Sequence, residues 1–156
     1  MTISEPATTL TDYLLAVFCL YYGTSLYRES RQKANKPRLL FGIAFFTSAT
    51  AALVGGTFHG FALFFTAGVK TALWNITIFF IGITGGFMVG GGIIAHQETL
   101  KKSIRWLAAG VAVTLFGFAI QQSGIQFAEF FNHNDLFHLT QIIGFYFLYK
   151  LARGLT

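Results

Sequence analysis

The segment ALWNITIFFIGITGGFMVGGGIIA, residues 72–95, decides the fold of this chain. It contains no charged residue, and its only amide side chain is that of Asn75. A helix of roughly 20 apolar residues spans the hydrocarbon core of a bilayer, which is about 30 Å thick. The segment is long and apolar enough to predict a transmembrane helix.

The composition of the whole chain extends this prediction. Hydrophobic residues make up 54% of the 156 residues and charged residues only 11%, whereas an average soluble domain has roughly 25% charged residues. A soluble fold of this length could not bury so much apolar surface, so we expect an integral membrane protein. The apolar runs predict one transmembrane domain, residues 1–156, built as an all-α bundle of five helices at about 9–27, 39–59, 72–95, 104–122 and 134–151.

Positive charges orient this predicted bundle. Ten of the 11 Lys and Arg residues fall between the first and second helices, between the third and fourth, or at the end of the fifth, and Lys70 is the exception. Loops rich in Lys and Arg stay in the cytoplasm, so we expect the N-terminus outside and the C-terminus in the cytoplasm. The net charge of +5 is then a topology signal, which excludes nucleic acid as a partner. We expect a bacterial inner-membrane protein in contact with membrane lipid.

A polar segment, NHNDLFH at residues 132–138, opens the fifth predicted helix. Polar groups at membrane depth are costly and mark functional sites. The expected topology brings this segment to the outer side, together with Asp12, His59 and Asn75. Asn134, His138 and Gln141 follow at helical spacing and form one polar stripe. His96 lies beside the inner basic loop, where we expect it to be solvated.

Imidazoles and a carboxylate at one depth are the ligand types of a zinc site. Three protein ligands plus a water molecule form a catalytic zinc centre, in which the bound water becomes acidic. The expected metal ligands are His59, His133 and His138. Asp135 or Asp12 would act as the base or orient a ligand histidine. The supporting polar groups are Asn134, Gln141 and Asn75.

A structural interpretation of the same residues stays open. Asn132 or Asn134 is a good helix N-cap, and Asp135 near a helix N-terminus offsets the helix dipole. In this interpretation the histidines form hydrogen bonds between helices and hold no metal ion.

Two patches of sequence, GGTFHG at residues 55–60 and FNHNDLFH at residues 131–138, resemble an uncharacterised family of small multi-pass bacterial membrane proteins. More distantly, a histidine late in the second helix and a histidine-rich start to the last helix are similar to the superfamily of alkaline ceramidases and progestin/adiponectin receptors. Those proteins are seven-helix membrane hydrolases with a zinc ion held by three histidines. The resemblance implies that His59 and His138 are zinc ligands.

Three functions are compatible with these features. The first is a metal-dependent hydrolase acting on a lipid amide or ester. The second is a non-catalytic subunit of a larger membrane complex, in which another subunit or a second copy packs on the close-approach face formed by Gly82, Gly86 and Gly90. The third is a haem-binding subunit with His59 and His138 as axial ligands. A transporter is disfavoured because no charged residue falls near the expected bilayer midplane.

Overall fold

The computed structural model describes residues 2–95, 97–129 and 131–155, and five long helices account for most of them. The predicted all-α architecture is confirmed. The helices are α1 (Pro6–Lys33), α2 (Lys36–Phe61), α3 (Ala67–Ile93), α4 (Gln97–Ser123) and α5 (His133–Gly154). A 3-10 turn, Ala62–Phe64, follows α2, and an antiparallel hairpin of β1 (Gln126–Ala128) and β2 (Phe131–Asn132) precedes α5. His96, expected to be solvated, lies outside the described residues.

Three helical segments are long and apolar enough to cross a membrane, which makes this a membrane protein by length and composition. Among the described residues they are Lys36–Phe64, Ala67–Ile93 and Thr99–Ser123. Helices α1 and α5 fall outside this group, because polar side chains such as Asp12 and His138 lower their mean hydropathy. These two helices nevertheless lie in the centre of the bundle.

The helices pack around a core of three. Helix α1 contacts both α2 and α5, while α3 packs against the outer side of α2 and α4 against α5. The buried residues of α1 recur at alternating intervals of three and four, as in Leu15, Cys19, Tyr22 and Leu26, which is the spacing of left-handed helix packing. Phe45 of α2 and Leu151 of α5 complete this core.

Small residues on α2 let α1 approach closely. A Cβ atom added at Gly42 would lie 3.3 Å from the backbone nitrogen of Tyr27. One added at Gly56 would lie 2.8 Å from the ring of Tyr13. The close approach brings the polar start of α1 against the end of α2.

Most of the glycine face predicted on α3 makes no packing contact within the described chain. A Cβ atom at Gly82 or Gly86 would meet no atom within 4 Å, and one at Gly90 would meet only Leu40. Helix α3 instead contacts α2 through Gly91, where a Cβ atom would lie 2.8 Å from Phe41. Packing therefore follows a different side of α3, and the glycine face points away from α2.

A buried arginine ties α5 to the α1–α2 turn. Arg38 is 4% exposed, and its Nη2 donates hydrogen bonds to the carbonyl oxygens of Arg153 and Leu155 at 2.8 and 2.9 Å. The Asn35 side chain donates to the same Leu155 oxygen at 3.0 Å. Glu29 bridges Arg38 and Arg153 at 3.5 and 3.3 Å. We call this part of the molecule, with the α1–α2 turn, the end of α3 and the last turn of α5, the basic end.

Candidate functional site: a buried carboxylate–imidazole cluster

A buried aspartate and a buried histidine meet at the other end of the bundle. The Nε2 atom of His138 lies 3.3 Å from Oδ1 of Asp12, and these side chains are 10% and 6% exposed. Asp12 is six residues into α1 and His138 five residues into α5, which places both about 8 to 9 Å from the start of their helices. Gly55 of α2 leaves room for the carboxylate, because a Cβ atom there would lie 3.6 Å from Oδ2 of Asp12.

Hydrogen-bond geometry indicates that the Asp12–His138 pair holds one proton. Nδ1 of His138 lies 3.1 Å from the Thr11 hydroxyl oxygen, and that hydroxyl donates to the carbonyl oxygen of Thr8 at 3.0 Å. The Thr11 oxygen then accepts a hydrogen bond from Nδ1–H. Nε2 is left facing the carboxyl group of Asp12, and a favourable contact there requires a proton on one of the two atoms.

Asp135 extends the cluster and also caps α5. Its Oδ2 accepts a hydrogen bond from the backbone N–H of Asn132 at 2.6 Å, and the Asn132 side chain accepts from the backbone N–H of Asn134 at 2.8 Å. This capping arrangement at the start of α5 is the one predicted by the structural interpretation. Asp135 is also fully buried and lies close enough to Asp12 for their carboxyl groups to repel each other.

A second acid–imidazole pair lies nearer the surface. Nδ1 of His59 is 3.2 Å from Oε2 of Glu5, with side-chain exposures of 15% and 42%. The distance is that of an ion pair, although the angles do not make it a hydrogen bond. The backbone N–H of Ser4 donates to the carbonyl oxygen of Gly60 at 2.9 Å, which fixes the N-terminal segment across the end of α2. His59 is close enough to His138 to interact electrostatically.

Several buried polar atoms near the cluster have no hydrogen-bond partner among the described residues. They are Oδ2 of Asp12, Oδ1 of Asp135, Nδ1 of His133, Nε2 of Gln141 and Oγ1 of Thr114. Buried polar atoms are as a rule paired with protein groups or with ordered water. The cluster therefore has polar atoms that can bind ordered water, and such atoms extend along α5 as far as Gln141.

The remaining predicted site residues, within the described part of the chain, form no side-chain hydrogen bond with Asp12 or His138. The Asn134 side chain accepts from Gln121 of α4 at 3.5 Å. Asn75 is exposed on α3, on the side that faces away from α2. His133 is the first residue of α5 and is half-buried.

The expected zinc and haem sites stay predictions. Among the described residues, no group of three or more His, Cys, Asp and Glu side chains is arranged to hold a metal ion. Both ring nitrogens of His138 are already engaged by Thr11 and Asp12, and Nδ1 of His59 is paired with Glu5. At His138 a metal or an axial haem bond would have to displace one of these contacts, whereas at His59 it would meet Nε2.

Sequence reasoning missed Glu5 and Thr11. Glu5 precedes the first apolar run, so no helical spacing in the sequence indicated that it lies next to His59. Thr11 had a signal that could have found it, because Thr8, Thr11 and Leu15 continue the three- and four-residue spacing of the buried face of α1. A hydroxyl on a buried face needs a partner, and His138 supplies one.

A helical bundle with three membrane-length helices and a buried acid–imidazole cluster at one end defines a polytopic membrane protein with an ionisable interior. The profile of a family of unknown function (DUF6962) matches residues 7–98 and 87–156. The chain belongs to that family. No curated protein and no solved structure matches the chain.

Proposed function

We propose that the protein crosses the bacterial inner membrane five times, with its N-terminus outside, and takes up protons from the outer side into the Asp12–His138 pair. Five crossings are supported by the packing, because α1 and α5 lie between helices that are long enough to span a bilayer. The proposed orientation follows from the basic residues gathered at the end opposite the cluster.

The observation that carries the proton-binding function is the contact of 3.3 Å between Asp12 and His138. Removing an isolated carboxylate from water costs several kcal/mol, so buried carboxyl groups are neutralised by a partner or by a proton. Chains of Asp, Glu and His inside membrane proteins serve as proton relays. Here the side-chain exposure falls from 42% at Glu5 and 15% at His59 to 10% at His138 and 6% at Asp12. This order forms a path from the surface inward.

Proton uptake of this kind serves a proton-driven change in helix packing, whereas proton-coupled transport, which the sequence disfavours, would require the path to continue across the membrane. The unpartnered Gln141 and Thr114 atoms support a continuation of the path toward the middle of the bundle. Because Asp12 belongs to α1 and His138 to α5, a change in protonation acts directly on the contact between these two helices. A hydrolytic function has no comparable support, since no three-ligand metal site is assembled among the described side chains.

Infrared spectroscopy of the protein in lipid, recorded as a function of pH, tests this function. We expect a carboxylic-acid carbonyl band that titrates and that disappears in Asp12→Asn. His138→Gln shifts its titration, because the imidazole shares the proton. Glu129→Gln is the matched control, since Glu129 is an exposed carboxylate and its loss leaves the band in place. A titrating band that survives Asp12→Asn unchanged contradicts the proposal.

A second candidate function is that of a subunit in a membrane assembly, and the exposed face of α3 favours it. Gly82, Gly85 and Gly86 have no atom within 4 Å of an added Cβ, and Asn75 is exposed on the same side. Small residues permit close helix contacts in membranes, and an amide can add a hydrogen bond between helices.

Cysteine crosslinking in native membranes tests self-association. The chain has one natural cysteine, Cys19, which is buried. We expect Gly82→Cys to form a disulfide-linked dimer, whereas Val111→Cys, on the exposed side of α4, does not. A monomer with both variants rules out a second copy at this face.

A further inference from the structure

A cavity at the basic end of the bundle has no part in the proposed proton path. Its volume is about 680 Å³, and it is lined by residues 33–38 and Ile94. The α1–α2 turn forms one wall, and the residue following α3 forms the other. The cavity therefore lies where three helix ends meet.

The lining of this cavity is strongly positive. Lys33, Lys36 and Arg38 are basic, and no acidic residue lines it. Both lysines are exposed, and within the described part of the chain neither has a carboxylate within 4 Å. Arg38 is 4% exposed, and its Nη1 has no hydrogen-bond partner among the described residues, although it lies 3.5 Å from Glu29. Glu29, which does not line the cavity, thus pairs with Arg38 and Arg153 but not with the two lysines.

The side chains, rather than the helix ends, give this cavity its positive potential. Helix α2 begins here at Lys36 and presents the positive end of its dipole, but α1 and α3 end here and present their negative ends. The attraction for an anionic phosphate group therefore comes from Lys33, Lys36 and Arg38. Pro37 and the half-exposed Ile94 give the cavity an apolar side, which matches the glycerol and acyl portion that accompanies a phosphate in a phospholipid.

We propose that this cavity binds an anionic phosphate group, supplied by the headgroup of an anionic membrane lipid or by free phosphate. Lys33 and Lys36 bind the phosphate oxygens, and the arginine beneath them maintains the positive potential while it holds the end of α5. Basic pockets between membrane helices bind phospholipid headgroups through the same chemistry. A bound phosphate offsets the repulsion among the three cations and stabilises the α1–α2 turn.

The test compares two double variants of the full-length protein in neutral detergent. Lys33→Gln with Lys36→Gln removes both ammonium groups from the cavity. Arg31→Gln with Lys102→Gln removes the same charge from exposed positions outside it. All four residues are exposed, so neither double variant disturbs the core. The midpoint of thermal unfolding is measured as phosphatidylglycerol is added, with phosphatidylcholine as the neutral reference, and separately as inorganic phosphate is added.

We expect phosphatidylglycerol to raise the unfolding midpoint of the natural protein and of the Arg31 and Lys102 variant. The Lys33 and Lys36 variant should need about thirtyfold more lipid for the same shift, or roughly fivefold for each ammonium group. A response to inorganic phosphate as well identifies free phosphate as a source, and a response to phosphatidylglycerol alone identifies the lipid. An equal response of the two double variants, or no response of the natural protein to either probe, overturns the proposal.

Discussion

Substitution of Gly56 by alanine should weaken the contact between α1 and α2 that positions Asp12. The new Cβ atom would lie 2.8 and 2.9 Å from two ring carbons of Tyr13 and 3.0 Å from Cβ of Asp12. The Tyr13 ring cannot swing away freely, since its hydroxyl is hydrogen-bonded to Thr57 at 3.2 Å. Relief of the overlap with Asp12 requires a shift of α1 itself.

The size of this effect follows from two opposing terms. Overpacking of a close contact costs about 1–3 kcal/mol, and replacing a helical glycine by alanine gains about 0.5–1 kcal/mol. We therefore expect Gly56→Ala to lower the free energy of unfolding by about 1.5 kcal/mol, which corresponds to a fall of about 3–6 °C in the unfolding midpoint for a chain of this size.

Gly82→Ala is the matched control for this prediction, measured by thermal unfolding in the same detergent. A Cβ atom at Gly82 meets nothing within 4 Å, so only the gain in helix propensity remains and the midpoint should rise by about 1–3 °C. The two substitutions are chemically identical, yet we expect opposite shifts in the unfolding midpoint. If Gly56→Ala is as stable as Gly82→Ala, the close approach of α1 and α2 at this level is refuted.

Three further outcomes are expected. Arg38→Met should lower the free energy of unfolding by about 3 kcal/mol in chemical denaturation, because the last carbonyl groups of α5 lose their buried donors; an unchanged midpoint would contradict this role. Asp135→Ala should cost about 1 kcal/mol through loss of the cap on Asn132, seen as faster hydrogen exchange in the first turn of α5 only. Treatment with a metal chelator should leave the unfolding midpoint unchanged, whereas a chelator effect that disappears in both His59→Ala and His138→Ala would restore the zinc hypothesis.

The helices could be predicted from the sequence because membrane-length apolar runs are a strong local signal. Each of the five predicted segments lies largely within an observed helix, but the observed helices extend beyond most of the predicted ends. Capping residues set several of the true limits, as with Asn35 before α2 and Thr66 before α3, whose side chains accept backbone hydrogen bonds. A hydropathy pattern does not detect the polar capping residues at which these helices begin. The number of membrane crossings and their orientation stay predictions.

The sequence could single out candidate site residues, but it could not predict which of them contact each other. Asp12, Asp135 and His138 are polar residues in apolar surroundings, which is why the sequence singled them out and the expected topology placed them on one side of the membrane. The contact between Thr11 and His138 joins residues 127 positions apart, and such a pair depends on how α1 and α5 are rotated against each other. Nor could the sequence show which glycine of α3 faces α2, since Gly90 and the adjacent Gly91 cannot be distinguished by spacing alone.

The arginine that holds the last turn of α5 has a consequence for biosynthesis. Arg38 is made more than a hundred residues before the carbonyl groups it binds, so in the newly inserted α1–α2 hairpin it has Glu29 as an ion-pair partner but none of its carbonyl partners. Asp12 likewise lacks its contact with His138 until α5 has been synthesised. Both ends of the hairpin are thus completed by a single late event, the arrival of α5. A ribosome stalled before that helix would leave a nascent chain open to quality-control proteases.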